Sequence, residues 1–114
     1  MWACFNDAFL SIVDKECEHD ELLVRARRPG DIERVFPGVT VVESFGTDYR
    51  YRAAIKRTVI ADAVSARIMG IGYSNFKGST KDRKLHDAYM DVWHAVAPLQ
   101  PGGPYARAPR GSLS

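Results

Sequence analysis

Four arginines alternate with other residues in two short segments: Arg25 and Arg27 in LLVRAR, and Arg50 and Arg52 in YRYRAAI. Alternate residues of a strand share a face, so each pair presents two guanidinium forks on one side. In the first segment Arg25 and Arg27 accompany Leu23, opposite Leu22, Val24 and Ala26. In the second, Tyr49, Tyr51 and Ala53 take the side opposite Arg50 and Arg52. A guanidinium fork bonds phosphate or carboxylate through two parallel N–H groups. If the strands are neighbours, the four side chains form a platform for nucleic acid or for an acidic protein surface. The open face of an antiparallel sheet is polar in any case, and arginine stems also cover apolar surface. Base-stacking proteins place aromatics beside their arginines; here the tyrosines fall opposite and are assigned to the core.

A second cluster is acidic. Asp14, Glu16, Glu18, Asp20 and Glu21 surround Cys17 and His19. A hard cation needs several oxygens in fixed geometry, normally with a glycine at the sharp turn. This segment has no glycine, and a zinc site would need two further ligands. No metal is expected; the residues suit a solvated loop, or a mimic of phosphate charge toward a basic partner. Further on, His86, Met90 and His94 recur every four residues among Asp87, Asp91 and Trp93. The acid that a metalloprotease helix places between two histidines is missing. A small enzyme or metal protein around His86 and His94 is therefore the weakest of the functional readings.

Nucleophiles lack a setting. Cys4 falls in a strand, and Cys17 lies among acids that raise a thiol pKa. Ser11, Ser44, Ser65, Ser74 and Ser79 stand in no G-x-S-x-G turn. Gly70-Ile71-Gly72 follows a helix instead of opening one, so it is no phosphate cradle. The chain reads as non-enzymatic, with no cofactor implied.

The elements that must position these residues follow from periodicity and turn chemistry. Asn6-Asp7 between two apolar runs suits a tight hairpin turn joining strands Trp2–Phe5 and Ala8–Val13. Glu21–Arg27 is a third strand, ended by Pro29-Gly30. Asp31–Phe36 is a short helix with acids at its positive end. Val39–Ser44 and Tyr49–Ile55 are the fourth and fifth strands. Thr58 is expected to cap a helix reaching Met69. Ser79 or Thr80 is expected to cap a last helix over Lys81–Val96, with Leu85, Ala88/Tyr89, Val92 and Val96 turned inward. The order is β-β-β-α-β-β-α-α. It predicts an α+β fold: an antiparallel sheet of about five strands with helices packed on one face, a ferredoxin-like core and an added N-terminal hairpin.

Bulk properties agree with this. At 114 residues the chain makes one domain, and 46% hydrophobic with 26% charged residues is a globular profile. Residues 1–98 are expected to form the domain, and the Pro/Gly-rich stretch 99–114 a flexible tail. Net charge is +2, but its distribution is uneven. Met1–Glu21 holds six acids and one lysine, whereas Leu22–Arg57 holds eight Lys/Arg and four acids. Two cysteines make no disulfide framework, and no apolar run reaches the roughly 18 residues of a membrane span. With no leader evident, a reduced, cytoplasmic setting without membrane contact is expected.

The segments NDAFLSIV, LLVRARRPGDIERVFP, TDYRYRAAI, YSNFKGS and LHDAYMDVW, spread over Trp2 to Trp93, resemble a family of short uncharacterised bacterial and phage proteins. The resemblance implies a compact domain of bacterial or mobile-element origin. It carries over no catalytic residue or cofactor. By size and origin it implies an interaction protein that inhibits a host protein complex, an anti-CRISPR role being the most concrete form of that expectation. Nucleic-acid binding through the arginine face is the alternative. A homodimer is also open, because a free sheet edge can pair with its copy.

Overall fold

The computed structural model describes residues 1–109. Its elements are β1 (Trp2–Cys4), β2 (Phe9–Val13), β3 (Glu21–Ala26), α1 (Asp31–Val35), β4 (Val42–Glu43), β5 (Tyr51–Lys56), α2 (Arg57–Met69), α3 (Phe76–Ser79) and α4 (Arg83–Val96), followed by a 3-10 turn at Ala97–Leu99. The strands form one sheet in the order β1-β2-β3-β5-β4, and every neighbouring pair is antiparallel. Placing β5 between β3 and β4 makes β3-α1-β4 a split β-α-β unit, the ferredoxin-like half of the fold. The N-terminal hairpin supplies the strand on the other side of β3. The α+β class and the five antiparallel strands are those the sequence implies; the element order departs from it in the short helix α3, which stands between the two helices expected after the fifth strand.

One sheet face carries Leu10, Ile12, Val24, Ala26, Ala53 and Ile55, packed against Ile32, Val35 and Phe36 around α1 and Ile60 of α2. The period-two pattern decides this: Leu10 and Ile12 are buried on the same side as Val24, so their neighbours must point the other way. Ile32 is fully buried; trimming it to alanine removes about 2–5 kcal/mol by transfer and cavity terms. Gly30 enters α1 with φ +89°, a left-handed backbone that residues with a Cβ rarely adopt.

Several boundaries differ from the sequence pattern. Strand pairing in β4 is limited to Val42–Glu43, because Val39 and Val41 turn toward the core. Helix α2 has no side-chain cap from Thr58: it starts at Arg57, directly after β5, and the Arg57 N–H is bonded to the Asp20 carbonyl. Ser79 and Thr80 do not cap α4. Both hydroxyls donate to the Phe76 carbonyl, while Asp82 accepts from the Leu85 N–H at 3.0 Å and caps α4. Of the inward stripe expected on α4, Leu85 and Tyr89 are buried, whereas Ala88, Val92 and Val96 are exposed. Residues 100–109 of the expected tail form turns and irregular chain; 110–114 lie outside the described residues.

The hairpin β1–β2 meets all four helices. The Asp31 carboxylate of α1 accepts from the Phe9 N–H at 3.1 Å. Arg67 of α2 binds Asp7 with both guanidinium arms. The Asn6 amide reaches Ser79 of α3, and the Tyr89 hydroxyl of α4 reaches the Phe5 and Ala8 carbonyls at 2.8 and 3.0 Å. Asp31 itself is 1% exposed and also accepts from Arg28 and Arg34. Its role was not read from the sequence, where it is one acid among others at a helix start.

Candidate interaction surfaces

Arg25 and Arg52 are direct partners across β3 and β5, and Ser11 of β2 faces Arg25. Directly paired residues of an antiparallel sheet point the same way, so Arg25 and Arg52 do share the face that α1 and α2 leave uncovered. Arg27 reaches the same place from the end of β3. Its guanidinium lies 4.3 Å from the centre of the Tyr49 ring, and that of Arg25 lies 4.5 Å from it. Arg52 donates to the Tyr49 carbonyl at 3.1 Å. Three of the four arginines thus converge on one tyrosine. Arg50 stacks instead on the exposed ring of Phe45, at 4.8 Å.

The placement of Tyr49 corrects the sequence expectation, which put it on the opposite side from the arginines. The alternation that expectation used starts two residues too early. Strand β5 begins at Tyr51, and residues 46–50 form a bend in which the Thr47 hydroxyl lies 2.8 Å from the Ser44 and Tyr49 carbonyls. Tyr49 therefore packs among the guanidinium groups. It is 3% exposed, so its ring faces are taken by arginine and closed to an incoming base.

The acidic loop folds back on the basic strand. Glu16 pairs with Arg52 at 3.4 Å, Asp20 with Lys56 at 2.6 Å, and Asp14 with Arg57 at 3.3 Å. Glu21 accepts the Glu18 N–H. The Lys56 ammonium holds the Asp20 carboxyl below its ordinary range, and Asp20 raises Lys56 in return. Asp48 adds a second carboxylate to Arg52, leaving that side chain 14% exposed. Arg25 gives one arm to Ser11 at 2.8 Å. The two features that looked like separate binding sites in the sequence meet at one pair, Arg52–Glu16, while the other loop carboxylates pair with Lys56 and Arg57 beside the arginine face.

The histidines of α4 are not brought together with other ligands. His86 contacts Asp87 at 3.3 Å, and His94 lies edge-on to Trp93. Among the described residues no three His, Cys, Asp or Glu side chains cluster as a metal site. Neighbouring atoms that shed water from its sulfur raise the thiol of Cys4, although the residue as a whole is exposed, and desolvation together with Asp14 raises that of Cys17. Among the described residues no helix is long and apolar enough to cross a membrane.

Exposed apolar residues occur at several points, among them Phe45, Ile68 and Met69, and two such regions bear on binding. One is the outer part of α4. Leu85, Tyr89, Val92, Val96 and Leu99 recur at spacings of four and three, the seam of a helix that packs along its length. Leu85 and Tyr89 are held by the body, with Tyr89 against Phe9 and Phe76, while Val92, Val96 and Leu99 are exposed. The chain is correspondingly long, 57 × 28 × 27 Å with a radius of gyration of 17.4 Å, against roughly 13 Å for a compact chain of this length. The other is the free edge at β1. It is flanked by a groove of about 310 Å³ lined by Trp2, Phe9, Leu85, Tyr89 and Val92, and by a cleft of about 590 Å³ lined by Phe5, Val35, Ala63, Ile68 and Tyr73. The signal for the first was available: the apolar stripe continues past the point where the rest of the chain has residues to cover it.

The chain matches no protein-family model, no curated protein and no solved structure.

Proposed function

We propose that this chain is an interaction protein of bacterial mobile-element origin that inhibits a host macromolecular machine by docking on it, an anti-CRISPR role being the most concrete form. The observation that carries the protein-binding part is the exposed pair Val92 and Val96 on a helix whose first turns are anchored, continued by exposed Leu99 in the 3-10 turn that follows. An amphipathic helix held at one end presents residues at i, i+4 and i+7 to a groove on a partner. Asp91 and His94 give its flanks polar groups that stay hydrated at the rim of such a contact. The segmental resemblance from Trp2 to Trp93 supplies the biological context, and the host setting implies a cytoplasmic site of action.

The test uses the tagged chain and its Val96→Asp/Leu99→Asp variant. Both substitutions are at exposed positions, so the fold survives. Capture from bacterial lysate is expected to enrich one host complex with the parent chain and at least tenfold less with the variant. Phage plating on a strain with active CRISPR interference is expected to rise only when the parent chain is expressed. Identical capture profiles would end the protein-binding reading, and unchanged plating would end its anti-CRISPR form.

A second reading, nucleic-acid binding through Arg25, Arg27, Arg50 and Arg52, is favoured by the convergence of three of these arginines around Tyr49. It predicts oligonucleotide affinity that falls steeply with added salt. The carboxylates already on Arg52 and the burial of Tyr49 weigh against it.

A further inference from the structure

The β1 edge carries a pattern of free hydrogen-bonding groups that suits a second copy of this chain. Met1 and Ile12 exchange both backbone bonds, at 2.8 Å each, and Phe5 and Ala8 do the same at 2.8 and 3.4 Å. In an antiparallel ladder such pairs alternate with pairs that point their N–H and C=O groups away. Ala3 therefore bonds inward to Leu10, and the N–H and C=O of Trp2 and Cys4 face outward from the sheet. Edge strands are usually blunted by charge, proline or a bulge. The run Met1–Asn6 (MWACFN) has no charged side chain and no proline, and Trp2 is 68% exposed while Cys4 is exposed.

We propose that two copies pair antiparallel through β1, about a two-fold axis at Ala3, to make one continuous ten-stranded sheet. This register sets Trp2 opposite the partner's Cys4, and those two residues exchange both backbone bonds; the symmetry repeats the exchange on the other side of the axis. Ala3 meets its own copy in the closer, non-bonded pair, where a small side chain fits. No like charges oppose each other, so the edge is complementary to itself, as a two-fold interface requires. Each Trp2 indole lies on the same sheet face as the groove lined by Phe9, Tyr89 and Val92. It packs edge-on to its own Phe9 and keeps most of its surface exposed, the part that the other copy covers. The two indoles alone hide roughly 200–340 Å². Together with the flanking Met1 and Phe5 this makes an interface below the size of a permanent dimer, so the pairing is weak and concentration-dependent.

The pairing goes beyond the docking function, which uses the distal part of α4, and the two fail separately. Sedimentation velocity of the full chain over roughly 5–500 µM is expected to show a mass rising toward two copies of 12.7 kDa. Cys4→Pro removes one outward N–H that no internal bond uses, and Trp2→Glu places a charge on the edge. Each is expected to keep the far-ultraviolet spectrum and to raise the dissociation constant at least tenfold. The Trp2→Glu position is exposed, so that variant decides the question if proline disturbs the hairpin. A parent chain that stays at one copy throughout would overturn the proposal, whether or not it binds an extended peptide from another protein. A dimer that survives both substitutions, or that Val96→Asp/Leu99→Asp abolishes, would overturn it as well.

Discussion

Replacing Asp31 by alanine is expected to be among the most damaging single changes to this domain that touch no apolar residue. The carboxylate is 1% exposed and accepts four hydrogen bonds: from the Phe9 N–H at 3.1 Å, from Arg28 at 3.2 and 3.0 Å, and from Arg34 at 2.6 Å. Alanine leaves the Phe9 N–H without an acceptor where the hairpin meets α1, which costs about 1–3 kcal/mol. Arg28 and Arg34 keep 31% and 48% of their side chains exposed. They regain water, so each lost ion pair adds only about 0–1 kcal/mol. The sum is about 3 kcal/mol, a large share of the roughly 5–15 kcal/mol that holds a domain folded. With a urea slope of about 1.5 kcal/mol per molar, the midpoint falls by about 2 M with the slope unchanged. Hydrogen exchange at Phe9 accelerates in native buffer. A midpoint shift below about 0.5 M, with Phe9 exchange unaltered, would show that the carboxylate does not hold the hairpin to the helix.

Three further outcomes are expected. Tyr89→Phe removes the hydroxyl that bonds the Phe5 and Ala8 carbonyls and lowers stability by about 1 kcal/mol, read by urea titration; burial holds the phenol protonated past its ordinary 10.0, so this part of the stability is present below that pH and is lost as pH rises above it. The Asp82 carboxyl is lowered by the Leu85 N–H and by Arg28, so its contribution is present above pH 3.8 and disappears as pH falls below it; Asp82→Ala should flatten the acid limb of the thermal midpoint plotted against pH and lower the midpoint by a few degrees at neutral pH. Asp14→Asn/Glu16→Gln removes the carboxylate partner of Arg57 and one of the two on Arg52 and should raise oligonucleotide affinity severalfold at low salt, measured by fluorescence anisotropy; no change would mean that the loop does not mask the basic face.

The class of fold was legible in the amino-acid order because its signals are local. Asn6-Asp7 suits a two-residue turn by its own residue types, and Phe5 and Ala8 close it, while Leu22–Ala26 alternates by the geometry of the pleat. The Lys56–Asp20 and Arg52–Glu16 pairs were not legible, since 36 residues separate the members of each. A bend of a few residues at 46–50 shifted the start of alternation in the fifth strand. That shift carried Tyr49 from the expected core to the arginine face. The bond from Asp31 to the Phe9 N–H, and the four-way anchoring of the hairpin, depend on where each helix returns to the sheet. Periodicity says which side of an element is apolar, because that depends on neighbours three or four positions away. What covers that side, and where the cover stops along α4, is decided only when distant segments compete for the same surface.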